Sequence, residues 1–253
     1  MRTGIESGNL LTGKVAIVTG AGTGIGKAIA RVFHREGARL VAADFSGAQD
    51  RLPAEIGEDI IPFQADVTDE RQVEAMFSKA LEVFGRVDVV VNNAGTVFSR
   101  QPDLSPEYYD DYTRTNLLGV MLCCKHAVWV MAANGGGSIV NLSSVSSFNA
   151  EGRTALAYAA AKAGVNSLTK TLAVRHGADG IRVNAIAPGF THSETNLHMP
   201  PELLAEMDAK SAYGRGANAE EQAQVAAFLA SDRASFVSGA IIPVDGAWSA
   251  RMV

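Results

Sequence analysis

The feature that most restricts how this chain can fold is an alternation. Short apolar runs of strand length recur at Val15–Val18, Leu40–Ala43, Ile60–Phe63, Val87–Val91, Ser138–Leu142, Ile181–Ala187 and Ala240–Val244. Between most of them lie stretches with helical periodicity, at Gly24–Glu36, Glu70–Phe84, Pro106–Ala132 and Thr154–Arg175. A helix between two strands brings the second strand in parallel to the first by a right-handed crossover. Repeated along the chain, this predicts an α/β fold, a doubly wound, seven-stranded parallel sheet with helices on both faces. A hydrophobic fraction of 47% and 25 glycines suit a sheet covered on both sides and joined by tight turns. No proline-rich or polar linker divides the chain. The expectation is therefore one domain over residues 12–253 behind a loose tail at 1–11. The main interruption, at about residues 190–217, is polar and carries Pro200, Pro201 and a short helical pattern at Glu202–Met207. It has the character of a lid.

A formal net charge of −5, without any long basic run, leaves no electrostatic footprint for nucleic acid or an anionic membrane. The first thirteen residues have no apolar core of a signal peptide, and no apolar stretch elsewhere is read as reaching the roughly 18 residues of a membrane span. A cytoplasmic protein with no membrane or nucleic-acid partner is expected. The adjacent Cys123 and Cys124 suit packed helix positions in a reducing compartment. The five histidines lack ligand spacing, so no metal site is expected.

The first run leads through TGAGTGIG directly into a helical stretch, placing Gly20, Gly22, Gly24 and Gly26 in a strand-to-helix turn. Glycine permits the turn and close backbone approach, and the open N–H groups of a helix start attract an anion such as a pyrophosphate. A nucleoside-triphosphate loop is excluded, because Gly26-Lys27 is followed by Ala28 and position 21 is alanine. An S-adenosylmethionine loop stays open at this point. The second run ends on Asp44, close to the roughly 20-residue offset of a ribose-binding acid. A carboxylate there accepts both ribose hydroxyls and repels a 2′-phosphate, and no arginine stands at 23 or 45 to rescue one, which favours NAD over NADP. Asp66 closes the third run and can reach the adenine edge, while a helix N-cap role fits Asp66 or Asp69 as well.

Further on, Tyr158 and Lys162 share one face of a helical stretch. A phenol ionises near pH 10 and serves as a base near neutrality only beside a cation, which Lys162 can supply. The fifth run ends on Ser143 and Ser144, at the edge where open α/β sheets bind ligands, and Asn92–Gly95 ends the fourth run at the same edge.

With TGAGTGIG at 19–26, NNAG at 92–95, Asn116, Tyr158-x-x-x-Lys162 and Pro188-Gly189, the chain resembles the short-chain dehydrogenase/reductase family over residues 12–248. The resemblance implies a Rossmann-type fold and an NAD(H)-dependent oxidoreductase that interconverts a secondary alcohol and a ketone. It implies Tyr158 as acid/base, Lys162 as its partner and holder of the nicotinamide ribose, Ser144 orienting the substrate oxygen and Asn116 holding a relay water. For the cofactor it implies Gly20, Thr23, Gly24, Ile25, Gly26, Asp44, Asp66, Val67, Asn93, Ala94, Gly95, Pro188, Gly189, Thr191 and Ser193, with Tyr158 and Lys162. A homotetramer paired through the helices at 106–132 and 154–175 is implied as well. Two departures stand out. The family serine lies one residue nearer the tyrosine than Ser144, so an insertion before Tyr158 is inferred, with Ser143 and Ser146 as alternatives. Ser193 stands where the family often has threonine, with Thr191 the alternative. The substrate pocket is expected from Thr96–Ser99, Phe148–Gly152, Phe190 and the lid. His192 and His198 are read as solvated lid residues, and Trp248 as a subunit anchor.

Overall fold

The computed structural model describes residues 10–96, 105–149, 155–196 and 198–251. Strands β1 (Val15–Thr19), β2 (Arg39–Asp44), β3 (Ile60–Gln64), β4 (Val89–Asn92), β5 (Gly137–Leu142) and β6 (Ile181–Pro188) coincide with the predicted runs to within one or two residues. A short β7 (Thr191–His192) pairs in parallel with β8 (Ala217–Asn218), and β9 (Ile241–Val244) completes the main sheet. That sheet is all parallel, seven-stranded, in the order β3-β2-β1-β4-β5-β6-β9, as the alternation predicts. The order reverses between β1 and β4, so the carboxyl ends of these two strands open a crevice, where doubly wound sheets bind ligands.

Alternate residues of each strand feed the two faces. Ala16 and Val18 of β1, with Val89 and Val91 of β4, pack under helices α1 (Gly24–Arg35) and α8 (Ala219–Ala230) against Ile29, Phe33, Ala223 and Leu229. Ile17 and Val90 point the other way, toward α3 (Glu70–Phe84), α5 (Val120–Ala133) and α6 (Leu156–His176) through Met76, Phe77, Cys124 and Val165. Each fully buried aliphatic side chain contributes about 1.5–3 kcal/mol. Helices α2 (Leu52–Ile56), α4 (Pro106–Thr113) and α7 (Pro201–Asp208) complete the chain.

Three expectations need correction. Leu11 is fully buried and Leu10 packs beside it, with the Leu11 N–H donating to the Glu36 carbonyl at 3.0 Å, so the chain joins the core before residue 12. The helix predicted as uniform over 106–132 is α4 and α5 joined through a π-helical stretch, Arg114–Gly119. This 28-residue helix, Pro106–Ala133, also contains an 18-residue stretch long and apolar enough to cross a membrane. Its apolarity has a structural outlet, because Tyr108, Tyr112, Cys123, Cys124, Ala127 and Met131 are buried. The two cysteines are unbridged, and burial pushes both thiols up, Cys124 to about 12.

The lid's two ends are tied by the β7–β8 pair, whereas α7 between them buries none of its side chains. Few apolar contacts mean a low cost of local opening. His192 is stitched into the lid, its Nε2 2.8 Å from Asp208 Oδ1 and its ring edge-on to Phe190 at 5.1 Å.

Candidate active site

The glycine turn after β1 is shaped by contacts that exclude a side chain. Gly20 has φ +64, and a Cβ there would lie 2.9 Å from Ala94 Cα. A Cβ on Gly26 would fall 1.9 Å from the Gly20 carbonyl oxygen, so only glycine lets α1 start this close to β1. On Gly22 it would meet an oxygen of Asp44 at 3.0 Å. Gly24 differs. At φ +54, its Cβ would meet only Ser193 across the opening, at 3.5 Å, so the surface above it is accessible. Thr23, the α1 N-cap residue, is exposed and makes no side-chain cap, while Ile25 lines the cleft and packs on the core.

Asp44 stands at the carboxyl end of β2. Its Oδ2 accepts the Gly22 N–H at 2.9 Å, and its Oδ1 accepts the N–H and hydroxyl of Ser46. A carboxylate has about four acceptor positions, so one remains for a ribose hydroxyl. These residues fit a dinucleotide: a cradle free of Cβ atoms, an accessible helix start and a carboxylate one strand away. Asp66 spends one oxygen on the Thr68 N–H within its own turn, and Asp69 is the N-cap of α3. Val67 is buried and closes against Gly119, where an added Cβ would be 2.6 Å away.

The NNAG segment is held by the same turn. Asn93 donates its side-chain amide to the Thr19 and Gly20 carbonyls, both at 3.0 Å, and the Thr19 hydroxyl accepts the N–H groups of Asn93 and Ala94. Asn93 thus lines the cleft while its amide ties the two loops together. Gly95 keeps open the space between Asn116 Oδ1 and Lys162 Nζ, which lie 2.7 and 3.5 Å from where its Cβ would stand.

Asn116 is fully buried within the π-helical stretch. Its amide donates to the Thr96 and Tyr112 carbonyls at 2.8 Å each, and its Oδ1 accepts the Thr96 N–H. By taking the carbonyl four residues back, the side chain competes with the helix ladder and widens the turn.

Ser143 and Ser144 leave β5 on opposite sides. The Ser143 hydroxyl turns into α6, 2.6 Å from Asn166 Oδ1, and Ser146 offers its backbone N–H to Ser144 Oγ. Ser144 is the serine that faces the Tyr158 phenol. Burial pushes this phenol up, and the Ser144 side chain opposes the rise. Lys162 is buried, donates from Nζ to the Leu142 carbonyl at 2.8 Å and sits 5.6 Å from the Tyr158 ring centre. Its ammonium is pulled down to about 8 by burial. The Lys162 ammonium is directed at the Leu142 carbonyl, and Ser144 is the side chain that counters the rise of the phenol.

All four predicted polar residues line a single cleft of about 430 Å³, together with Pro188, Gly189, Thr191 and Ser193. The Thr191 hydroxyl is buried between the Gly189 carbonyl and Gln222, which leaves Ser193 as the hydroxyl nearer Gly24. The apolar part of the lining comes from Val145, Phe190, Met207 and Trp248, with Ile25 and Leu142. Trp248, expected at a subunit contact, lines this cleft and is half-buried. The signal was available: it lies four residues past β9, at the same sheet edge as Ser144. Of the expected pocket, Thr96 lines the cleft, while 97–99 and 150–152 fall outside the described residues. Among the described residues no group of three His, Cys, Asp or Glu side chains is placed to hold a metal.

A parallel sheet with its crevice at the β1/β4 reversal, and a Ser–Tyr–Lys group beside it, define a dinucleotide-dependent oxidoreductase fold. The chain belongs to the short-chain dehydrogenase/reductase family, enzymes of the CH–OH group that work with a nicotinamide cofactor. The family model described as enoyl-(acyl carrier protein) reductase matches residues 20–249. The cis-4-hydroxycyclohexanecarboxylate dehydrogenase of Sinomonas cyclohexanicum is 42% identical over 96% of this chain and 99% of its own length. The meso-2,3-butanediol dehydrogenase of Serratia marcescens is 39% identical over 92% of this chain and 93% of its own. The crystal structure of levodione reductase superposes with a TM-score of 0.90 at 35% identity, covering 96% of this chain and all of that one.

Proposed function

We propose that this enzyme is an NAD(H)-dependent dehydrogenase that interconverts a compact, ring-bearing secondary alcohol and its ketone, with Tyr158 as acid/base. The observation that carries the proposal is that Ser144, Tyr158 and buried Lys162 line one cleft with the apolar Val145, Phe190, Met207 and Trp248, Lys162 Nζ lying 5.6 Å from the Tyr158 ring centre. The substrate oxygen sits between the Ser144 and Tyr158 hydroxyls. In oxidation the Tyr158 phenolate takes the carbinol proton while Ser144 donates to the same oxygen. The nicotinamide ring, when bound, accepts the hydride and returns it in the reverse direction. Lys162 supplies positive charge to the phenolate and holds the ribose, and Asn116 bonds the water through which Lys162 exchanges protons. Val145, Phe190, Met207 and Trp248 exclude water and favour a saturated ring, in keeping with the name of the related cis-4-hydroxycyclohexanecarboxylate dehydrogenase. A screen of cyclohexanols, hydroxycyclohexanecarboxylates and acyclic diols with NAD tests this. The proposal fails if only acyclic diols turn over.

Asp44 supports the choice of NAD. NADH is expected to bind at least about tenfold more tightly than NADPH, because a 2′-phosphate would face a carboxylate already engaged by Gly22 and Ser46. Fluorescence titration of both nucleotides checks it, and Asp44→Ala narrows the gap. A homotetramer is proposed on the exposed apolar side chains Leu118, Met121 and Trp129 of the α4–α5 helix and Leu156 and Val174 of α6. Sedimentation equilibrium reads the mass.

A further inference from the structure

The lid turns back onto the glycine loop through a carboxylate. Glu194 opens a short 3₁₀ turn, Glu194–Asn196, and its Oε2 accepts the Gly24 N–H at 3.0 Å. Gly24 is the first residue of the twelve-residue α1, so this N–H is one of the donors a helix leaves without an internal partner. The side chain lines a cavity of about 300 Å³ with Lys27, Arg31 and His192, and the neighbouring Ser193 lines both that cavity and the cleft. Hydrogen bonds from its own and the Gly24 amide, reinforced by Lys27 and Arg31, hold the Glu194 carboxyl below the usual range, so it is an anion at neutral pH. Its position is not required by the glycine turn, which is closed by Asn93 and Asp44 without it.

We propose that Glu194 is a competitor of the cofactor, its carboxylate holding the Gly24 N–H that a pyrophosphate oxygen would take, and that cofactor binding displaces it together with the root of the lid. The inference rests on the dinucleotide site proposed above. One N–H cannot serve the carboxylate and a phosphate oxygen together, and two anions at one helix start repel. The carboxylate therefore competes with the cofactor and is exchanged for it. Because Ser193 is adjacent and β7 precedes it, the exchange shifts the lid near Phe190, Met207 and Trp248, so cofactor entry reshapes the substrate wall.

The test uses the full-length enzyme with Trp129→Phe, which leaves Trp248 as the single tryptophan. NADH and adenosine are titrated against this background and against Glu194→Gln and Glu194→Ala. Expected is NADH binding tighter by about twofold to fivefold in both variants, the range of a charge at an exposed helix start, with adenosine affinity unchanged because adenosine carries no phosphate. Trp248 emission should change on adding NADH to the parent, and should already be partly changed in free Glu194→Ala. Unchanged or weaker NADH binding in both variants overturns the inference while leaving the dinucleotide site standing. Failure of the parent to bind either NADH or NADPH overturns both.

Discussion

Replacing Tyr158 by phenylalanine is expected to lower turnover by about 10²–10⁴-fold, the usual contribution of a positioned acid or base, while NADH affinity stays within about twofold. The change deletes one oxygen. The ring remains packed on the Tyr108–Tyr112–Ala157 cluster, so fold and cleft persist. A variant that lost NADH binding in parallel with turnover would point to misfolding, and one that kept turnover would remove Tyr158 from its role. The pH profile gives a second readout. Burial raises the phenol, so the base form needed for alcohol oxidation is scarce at neutral pH, and kcat/KM for oxidation rises as pH increases. The acid form needed for ketone reduction is present at neutral pH, and reduction declines only as pH climbs through the phenol's pKa. Lys162→Met removes a cation that is present only below about pH 8, where Lys162 keeps its charge, so its expected effect is a loss of oxidation activity at neutral pH that shrinks as pH rises past that value.

Much of this site could be read from residues, because the physics that sets it is local. The glycine spacing, the strand-end position of Asp44 and the helical spacing of Tyr158 and Lys162 each follow from strand and helix geometry. What was hidden depends on through-space partners. Ser143 and Ser144 were both at the right strand end, and only the position of α6 decides that Ser143 bonds Asn166 and Ser144 meets Tyr158. Asn116 sits in a stretch whose apolar pattern suits an uninterrupted helix, since periodicity does not register one widened turn caused by a side chain reaching the Tyr112 carbonyl. Asp66 and Asp69 were equivalent as cap candidates until the chain direction after β3 placed Asp69 under the Arg71 N–H. Glu194 carried no sequence signal, because its partner is 170 residues away. Leu10 and Leu11 were assigned to a tail because two apolar residues among polar ones give no period, although their burial anchors the chain beside α1.

Gly26→Ala is expected to be the most damaging single-methyl change in the chain's cofactor half. Its Cβ would stand 1.9 Å from the Gly20 carbonyl oxygen and 2.4 Å from the Asn93 amide nitrogen. The first contact is with backbone, which has no rotamer to yield, so α1 must move away from β1 or the turn must open. Asn93 links this turn to the NNAG loop through two hydrogen bonds at 3.0 Å, so either movement spreads to the floor of the cleft. Overpacking of this kind costs about 1–3 kcal/mol, and a chain of this size loses about 2–4 °C of melting temperature per kcal/mol, giving an expected drop of about 2–12 °C. NADH binding should weaken by at least about tenfold, because the pyrophosphate seat and the loop beneath it are displaced together. Gly177→Ala is the matched control, with an ordinary helical φ of −60 and nothing within 4 Å of its Cβ. It should leave both quantities unchanged or raise the melting temperature slightly, by restricting the unfolded chain. Equal behaviour of the two variants in thermal unfolding and NADH titration would mean that the close approach of α1 to β1 is not what shapes the cofactor seat.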